Sequence, residues 1–290
     1  MKKFAAFLLM TACIAALCGL EVDRREIESG GAESAIEFIN YNGPHSVVNT
    51  AAEIRGIGAA LGKSVAAGGT AGDPARYYVI HAVDPAITEG LDADIMTLGP
   101  GATVDHIDNV RRIIASYLSA AYGYSEKDSS VLAVYVTVYN AVYRGKMDVF
   151  SGRYKPVVIK HLVPEKAGLS IRYDEWPGRS QIVIPLSDPR LAGTISTVDT
   201  SALTSKEVTG KIKEDGEAGT STRKDMVDLK EREGSEAQDR ADTAQTEATK
   251  AKAESSRKQK EAAEAEAKAR DARIASEKAK KEAEANPADA

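Results

Sequence analysis

The sequence predicts an α+β protein: a helix-rich N-terminal globular domain followed by a long charged helix rich in Ala, Glu and Lys. Two observations support this. All 16 aromatic residues lie at or before Trp176, so a core with large side chains can form only in the first part of the chain. Residues 241–290 instead contain 17 Ala, 11 Lys or Arg and 11 Asp or Glu. These are good helix formers that supply no large apolar side chain.

Residues 1–19 predict a signal peptide. Lys2 and Lys3 precede an apolar run over 4–17, and acidic residues begin at Glu21, which is the order of charge and hydrophobicity in secretory signals. The run is too short for a stable transmembrane helix. We therefore expect an exported protein, with no transmembrane span in the mature chain.

Both cysteines of the sequence, Cys13 and Cys18, fall inside this signal. A mature chain beginning near Leu20 would contain no thiol, so disulfides and thiol catalysis are not expected. The remaining use of a cysteine here is as a lipid acceptor. Cys13 follows small residues but leaves a short apolar run, whereas Cys18 follows the bulky Leu17, and lipidation at either position stays open.

Residues 20–191 predict one globular domain, large enough to bury a core without metals or disulfides. Thr50 and Glu53 have the spacing of a capping box, which predicts a helix start. Later elements follow from periodicity and turn residues. They are a strand over 76–81, a strand over 95–98 ending at the turn 99–101, a helix over 105–122, a helix over 131–143 ending at Gly145, and an edge strand over 181–186 containing Pro185.

The segment 131–143 is β-branched, but its valines recur on one helical face and Tyr135, Tyr139 and Tyr143 form a stripe beside them. This spacing favours a helix over a strand. Tyrosines in such a stripe are more often half-buried packing residues than a binding surface. Similarly, Arg111 and Arg112 could form an anion site but more often occupy a solvated face.

Residues 192–224 are rich in Gly, Ser and Thr and predict a flexible linker, and 225–287 predict a charged helical stalk. Acid-before-base pairs at i, i+4 support the helix. They are Glu236/Arg240, Glu254/Lys258, Glu264/Lys268, Glu266/Arg270 and Glu277/Lys281. Since Ile274 is the only large aliphatic residue after Gly234, a single solvated helix or a weak Ala-seamed coiled coil is favoured over a Leu zipper. Weak self-association through the helix, and disorder at the same composition, are the alternatives.

No residue set predicts a catalytic, cofactor-binding or metal site. The segment 56–64 resembles a phosphate loop, but its glycines are one step out of register and a helix precedes it, so helix packing through small residues before a loop at Gly68 and Gly69 is favoured. One stretch supplies metal-ligand types without a known ligand spacing: His81, Asp84, Asp92, Asp94, Asp105, His106 and Asp108. The net charge of −5 does not favour nucleic acid as a partner.

Several segments in order resemble the spirochaetal 83/100 antigen family, known best from Borrelia. They are 38–44, Asn49 and Thr50, 54–58, 109–113, 138–145, 167–170, Trp176, 181–186 and 217–219. The resemblance implies an exported, immunodominant antigen of the cell envelope with a charged helical middle and no established catalytic residues. Members continue beyond the charged helix into a further globular region, whereas this chain stops at Ala290, either as a fragment or as a short member.

These observations together predict a non-enzymatic envelope protein, located in the periplasm or associated with the outer membrane, that acts as a structural or tethering protein. Its partners would be envelope or host proteins of unknown identity. Two alternatives remain at this point. The first is a surface-exposed adhesin that contacts a host protein through Tyr-rich surfaces, and the second is a periplasmic enzyme of cell-wall or envelope metabolism.

Overall fold

The computed structural model describes residues 35–43, 50–66, 70–187, 193–212 and 217–285. The predicted signal peptide, with Cys13 and Cys18, lies outside them. The chain forms two compact units, one extending to Gly234 and the other beginning at Ser235. In order, the elements are α1 (Ala51–Ala66), β1 (Thr70–Asp73), β2 (Tyr77–Ala82), β3 (Asp92–Leu98), α2 (Ile107–Tyr122), α3 (Glu126–Val142), α4 (Met147–Arg153), α5 (Pro156–Ile159), a 3-10 turn (Tyr173–Glu175), β4 (Ser180–Leu186), α6 (Thr200–Leu203), α7 (Lys206–Thr209) and α8 (Glu217–Ala285).

The four strands form one antiparallel sheet in the order β1-β2-β3-β4. Every residue of β3 and β4 is buried, so both faces of the sheet are covered there. Pro185 pairs with Ala93 in the β3–β4 ladder, and β4 is at the edge of the sheet, as its sequence predicted. The Asn140 side chain binds the outer side of β4: Nδ2 donates to the Val183 carbonyl at 2.8 Å, and Oδ1 accepts from the Val183 N–H at 2.7 Å. At Val183, this amide therefore makes the two backbone hydrogen bonds that a fifth strand would otherwise make.

Two predicted helix features are confirmed. At α1, the Thr50 N–H donates to Glu53 Oε2 at 2.7 Å and the Glu53 N–H donates to Thr50 Oγ1 at 3.2 Å, which is a complete capping box. Residues 131–142 of the predicted segment lie in α3 and Tyr143 is its C-cap, so the segment is helical and not a strand, as its apolar period predicts. Gly145 follows the helix with φ at 72°, a value that favours glycine.

Two glycines of α1 allow it to pack closely against α2. A Cβ atom at Gly58 would lie 2.1 Å from the Ile113 carbonyl oxygen, and one at Gly62 would lie 2.6 Å from the Tyr117 carbonyl oxygen. The two helix backbones therefore touch where side chains would keep them apart. This confirms helix packing through small residues as the role of segment 56–64, which lies inside α1 and not in a phosphate-binding loop. Gly68 and Gly69 lie outside the described residues.

We expect Gly58→Ala to lower the free energy of unfolding by about 2 kcal/mol, because α1 and α2 must move apart to admit the methyl group. Urea unfolding followed by circular dichroism measures the change. Gly56→Ala is the matched control, since nothing lies within 4 Å of its Cβ position and Ala favours the helix by about 1 kcal/mol over Gly. Equal stability of the two variants would contradict a packing role for Gly58.

The predicted linker over 192–224 is partly helical in the structure. It contains α6 and α7, and α8 begins at Glu217 and not at Asp225. The reason is a small number of apolar anchors: Leu203, Val208 and Ile212 are buried in the core of the first unit. Such anchors are widely spaced, so the Gly, Ser and Thr between them dominate the composition.

The part of α8 in the second unit begins at Ser235, and its residues from Asp242 to Glu282 are exposed. Ion pairs at i, i+4 run along it, including Lys258 with Glu254 at 2.8 Å and Arg257 with Glu261 at 3.5 Å. Glu277 pairs with Arg273 at 3.7 Å and not with Lys281, the partner predicted for it. Exposed pairs of this kind each stabilise a helix by about 0.2–0.5 kcal/mol.

Candidate functional site at the root of the long helix

The stretch with metal-ligand residue types forms two buried polar clusters. In the first, Asp94 of β3 accepts a hydrogen bond from Tyr117 at 2.5 Å and another from Tyr122, and its Oδ1 lies 2.7 Å from His81 Nδ1. Asp94 is fully buried, so these partners satisfy a carboxylate that would be costly to bury alone. Burial also raises the pKa of Tyr117. Both tyrosines therefore act as hydrogen-bond donors to the carboxylate.

In the second cluster, the Lys155 ammonium lies 2.7 Å from Asp92 Oδ2 and donates to the Asp84 carbonyl at 2.9 Å. The side chains of Lys155 and Asp92 are only 5% and 1% exposed. This buried ion pair ties the start of α5 to the start of β3. It is structural, because both charges are satisfied by the protein itself.

The three remaining residues of that stretch lie apart from these clusters. His106 caps α2, accepting from the Asp108 N–H at 3.2 Å, and Asp108 lies in the first turn, where a carboxylate favours the helix dipole. Asp105 provides a backbone carbonyl to Tyr41. Among the described residues, no three His, Cys, Asp or Glu side chains are placed to share a metal ion.

We expect Asp94→Asn to destabilise the protein by about 2 kcal/mol, because hydrogen bonds to a charged acceptor become hydrogen bonds to an amide. The loss should be larger at low pH. The hydrogen bond to Asp94 raises the pKa of His81, so its stabilisation is complete below the unfolded value of about 6.5 and is lost as pH rises through the folded value. Thermal unfolding at pH 5.5 and pH 8.5 tests this, and a loss independent of pH would contradict the coupling of His81 to Asp94.

The tyrosine stripe of α3 is a packing surface. Tyr135 and Tyr139 are fully buried and Tyr143 nearly so. The Tyr139 and Tyr154 hydroxyls lie 2.8 Å apart, and Arg153 donates to the Tyr143 hydroxyl at 3.0 Å. The packing interpretation is confirmed, and the alternative that this stripe forms a binding surface is wrong.

The arginine pair of α2 lies on the rim of a groove between α1, α2 and α3. The groove has a volume of about 720 Å³, and Gly56, Ala59 and Ala115 line part of it. Arg111 Nε donates to Thr137 at 3.2 Å, whereas Arg112 donates to Asn109 at 2.8 Å. The two arginines are half-buried, bind different partners and both line the groove.

The N-terminal part of α8 is held in the first unit by both apolar and polar contacts. We call residues 221–234 the helix root. Met226, Val227 and Leu229 of the root are buried and anchor it by apolar burial, which contributes roughly 1.5–3 kcal/mol for each large side chain. No comparable apolar group follows Gly234 until Ile274. The apolar anchor of the long helix is therefore confined to the root.

Charged contacts fix the same root against α3. Arg232 binds both carboxylate oxygens of Asp128, at 2.5 and 3.2 Å, and Lys127 binds Asp225 at 2.7 Å. Burial alone would raise the pKa of Asp128, but hydrogen bonds from Arg232 and Ser125 outweigh it and lower the pKa. The root is thus held by a bidentate pair with the geometry that Arg and carboxylate prefer.

Glu233 is the last residue of the root before Gly234, and it is buried with only 6% exposure. Its Oε2 accepts from the Thr200 hydroxyl at 2.6 Å, while its Oε1 has no hydrogen-bond partner among the described residues. Burial raises the pKa of Glu233 to about 7, although Thr200 and the charge of Lys230 act in the opposite direction. A buried carboxyl with one unsatisfied oxygen favours its protonated form.

Composition does not reveal this root, because it predicts a linker up to residue 224 and a charged stalk over 225–287. The signal that could have found it is the group Met226, Val227 and Leu229, the last dense apolar cluster of the chain. Its spacing places three apolar side chains within one helical turn. Contacts such as Glu233 with Thr200 join residues remote in sequence, so no local pattern predicts them.

Across the described residues, no helix combines the length and the apolar character needed to cross a membrane. No curated protein and no solved structure shows significant similarity to the chain. One family model, that of the Borrelia P83/100 protein, matches residues 24–290. This match spans both compact units, including the rooted helix, and on that basis the chain belongs to the Borrelia P83/100 protein family.

Proposed function

We propose that this chain is an exported, non-enzymatic cell-envelope protein and antigen of a spirochaete, in which the long helix serves as a spacer or tether for a folded unit. The observation that carries the proposal is α8 itself. Its first turns are anchored by buried apolar residues and ion pairs, and Ile274 is the one large apolar side chain of its exposed part. A helix of 69 residues is about 100 Å long at 1.5 Å per residue.

Membership of an antigen family supports the spirochaetal and antigenic part of this proposal. The apolar run after Lys2 and Lys3 supports export. The non-enzymatic part is supported by the use of the polar clusters: Asp92 and Asp94 are bound by structural partners and are not presented to a substrate.

The spacer role requires that α8 stays helical in solution. We expect spin labels at Thr246→Cys and Ile274→Cys, in the full chain with Cys13 and Cys18 replaced by Ser, to lie about 42 Å apart, because 28 helical rises separate them. Dilution with unlabelled chain restricts the measurement to one molecule. A flexible coil of this length would give a broad distribution near about 30 Å, which would contradict the spacer.

Location is tested by treating intact cells, and cells with a permeabilised outer membrane, with protease and detecting the folded unit by immunoblot. Digestion only after permeabilisation is the result expected for a periplasmic tether. Digestion of intact cells would place the unit at the surface and favour the adhesin alternative. An internal periplasmic protein that resists digestion in intact cells and is digested after permeabilisation serves as the control for membrane integrity.

A further inference from the structure

The exposed part of α8 carries a line of small residues spaced alternately four and three apart. We call it the alanine seam. Its members are Ala244, Ala248, Ala251, Ser255, Lys258, Ala262, Ala265, Ala269, Ala272 and Ser276, and all are exposed in the structure. Residues 244–276 include 14 charged side chains, of which only Lys258 lies on the seam. Apart from Lys258, this line is therefore free of charge along about 48 Å of helix.

This spacing does not stabilise a single helix that is surrounded by water. An α-helix repeats every 3.6 residues, so a strict heptad line drifts by about 20° per heptad around a straight helix. Over its whole length, the seam would rotate about a quarter of the way around a straight helix. All sides of such a helix are equally exposed to water. Two helices that supercoil keep such a line between them, which is the arrangement that a heptad repeat stabilises. The large side chain Ile274 lies outside the seam, so it does not interfere.

The charges beside the seam determine which partner fits it. In coiled coils, the residues flanking the seam form the ion pairs that set partner and orientation. Suppose a second copy runs antiparallel, with Ala251 facing the partner's Ala269. Glu254 then faces the partner's Lys268, and Lys252 faces the partner's Glu266. Symmetry doubles each pair, giving four pairs of opposite charge against one like pair, Glu261 with the partner's Glu261, at the axis.

Other arrangements of two copies are less favourable. In a parallel pair in register, Glu261 faces the partner's Glu266 and Lys268 faces the partner's Arg273, and both contacts are repulsive. Moving the antiparallel register by one heptad in one direction sets Lys252 against Arg273. Moving it in the other direction sets Glu254 against Glu261. Each of these arrangements keeps one attractive flanking contact but adds at least as many repulsive ones. The antiparallel pair with Ala251 facing the partner's Ala269 therefore has the most complementary charges of the four.

We propose that the long helix binds the long helix of a second copy of this chain as an antiparallel coiled coil through the alanine seam, centred close to Lys260. Small side chains let the two axes approach to about 8 Å, the short end of helix packing distances. Because Ala and Ser bury little apolar area, we expect the association to be weak and to require a high chain concentration. The spacer role does not require this pairing, so the two proposals can fail separately.

Orientation is read from a single spin label per chain in the full chain lacking Cys13 and Cys18. With Ala251→Cys, the antiparallel pair places the two labels about 27 Å apart, since 18 helical rises separate position 251 from the partner's 251. Labels at Ser276→Cys give about 48 Å in the same pair. A parallel pair gives less than about 15 Å at both positions. Short distances at both positions would overturn the proposal. Absence of any intermolecular distance at high concentration would overturn it together with absence of disulfide crosslinking, because a Cys side chain fits the seam and a spin label is bulkier.

Disulfide formation provides an independent readout. Mixing the Ala251→Cys and Ala269→Cys chains is expected to yield a crosslinked heterodimer, whereas each chain alone yields little. Crosslinking of either chain with itself in preference to the mixture is the opposite result and would exclude the antiparallel register.

Charge reversal separates pairing from helix formation. The double change Lys252→Glu with Lys268→Glu creates repulsion at all four flanking contacts, and we expect loss of the 27 Å distance while circular dichroism stays helical. Adding Glu254→Lys and Glu266→Lys restores opposite charges, and the distance should return. Persistence of the distance in the double variant, or failure of the fourfold variant to regain it, would refute the charge assignment on which the proposal depends.

Discussion

Replacing Lys155 by Met is expected to lower the free energy of unfolding by about 4 kcal/mol, the largest effect we anticipate for one substitution in the folded unit. The Asp92 carboxylate would remain buried with its counter-ion removed, and among the described residues only the N–H of Asp84, at 2.9 Å, would still donate to it. The Asp84 carbonyl would also lose the ammonium that it accepts from. Urea unfolding at pH 7 measures the loss.

The matched controls distinguish an uncompensated charge from lost packing. Lys155→Met combined with Asp92→Asn should recover part of the stability, because no net charge then remains buried. Arg172→Met removes a comparable but half-exposed pair with Asp174 and should cost less than about 1 kcal/mol. If Lys155→Met behaved like Arg172→Met, the pair could not be structurally important.

The second large effect is a pH dependence that originates at Glu233. With a pKa of about 7 in the folded protein and about 4.3 when unfolded, the folded state holds the extra proton between these values. The contribution of Glu233 to stability is therefore most favourable below this window, falls as pH rises through it, and stays low above it. Glu233→Gln removes this dependence, and we expect it to stabilise the protein by about 3 kcal/mol at pH 8 but very little at pH 4.5.

Urea unfolding at several pH values between 4.5 and 8.5 tests this, using the difference between wild type and variant at each pH. The difference cancels the contribution of His81, which has the same sign. Glu247→Gln, an exposed substitution on the same helix, should leave the profile unchanged. A Glu233→Gln difference that does not vary with pH would show that the carboxyl is ionised in the folded protein throughout this range.

Periodicity predicted the elements that carry a regular apolar pattern. The helices over 105–122 and 131–143 follow from the helical recurrence of their apolar residues. The tyrosine stripe was assigned to packing for the same reason. Three of the four strands follow instead from short apolar runs beside turn residues, because β3 and β4 are buried on both faces and carry no alternation. These features are local, so a window of a dozen residues contains all the information needed.

Features that depend on distant partners could not be predicted. β1, Thr70–Asp73, has one buried residue, Ala71, and its strand conformation comes from backbone pairing with β2. The contacts of the helix root could not be predicted, because its partners Asp128 and Thr200 lie far away in sequence. For α8, composition predicts a coiled coil only as a weak alternative, because Ala is barely hydrophobic. The seam depends on the spacing of the Ala residues more than on their number.

The position of β4 in the sheet has a consequence for the order in which this protein can fold. β1, β2 and β3 follow one another along the chain and can pair as soon as residue 98 is available, whereas β4 pairs with β3 only after residues 99–179 have been made. Closing so long a loop slows folding. Until β4 docks, β3 presents an open hydrogen-bonding edge that can pair with another chain. A chain that ends before Ser180 therefore keeps this edge and should aggregate, so the last strand protects the sheet as well as completing it.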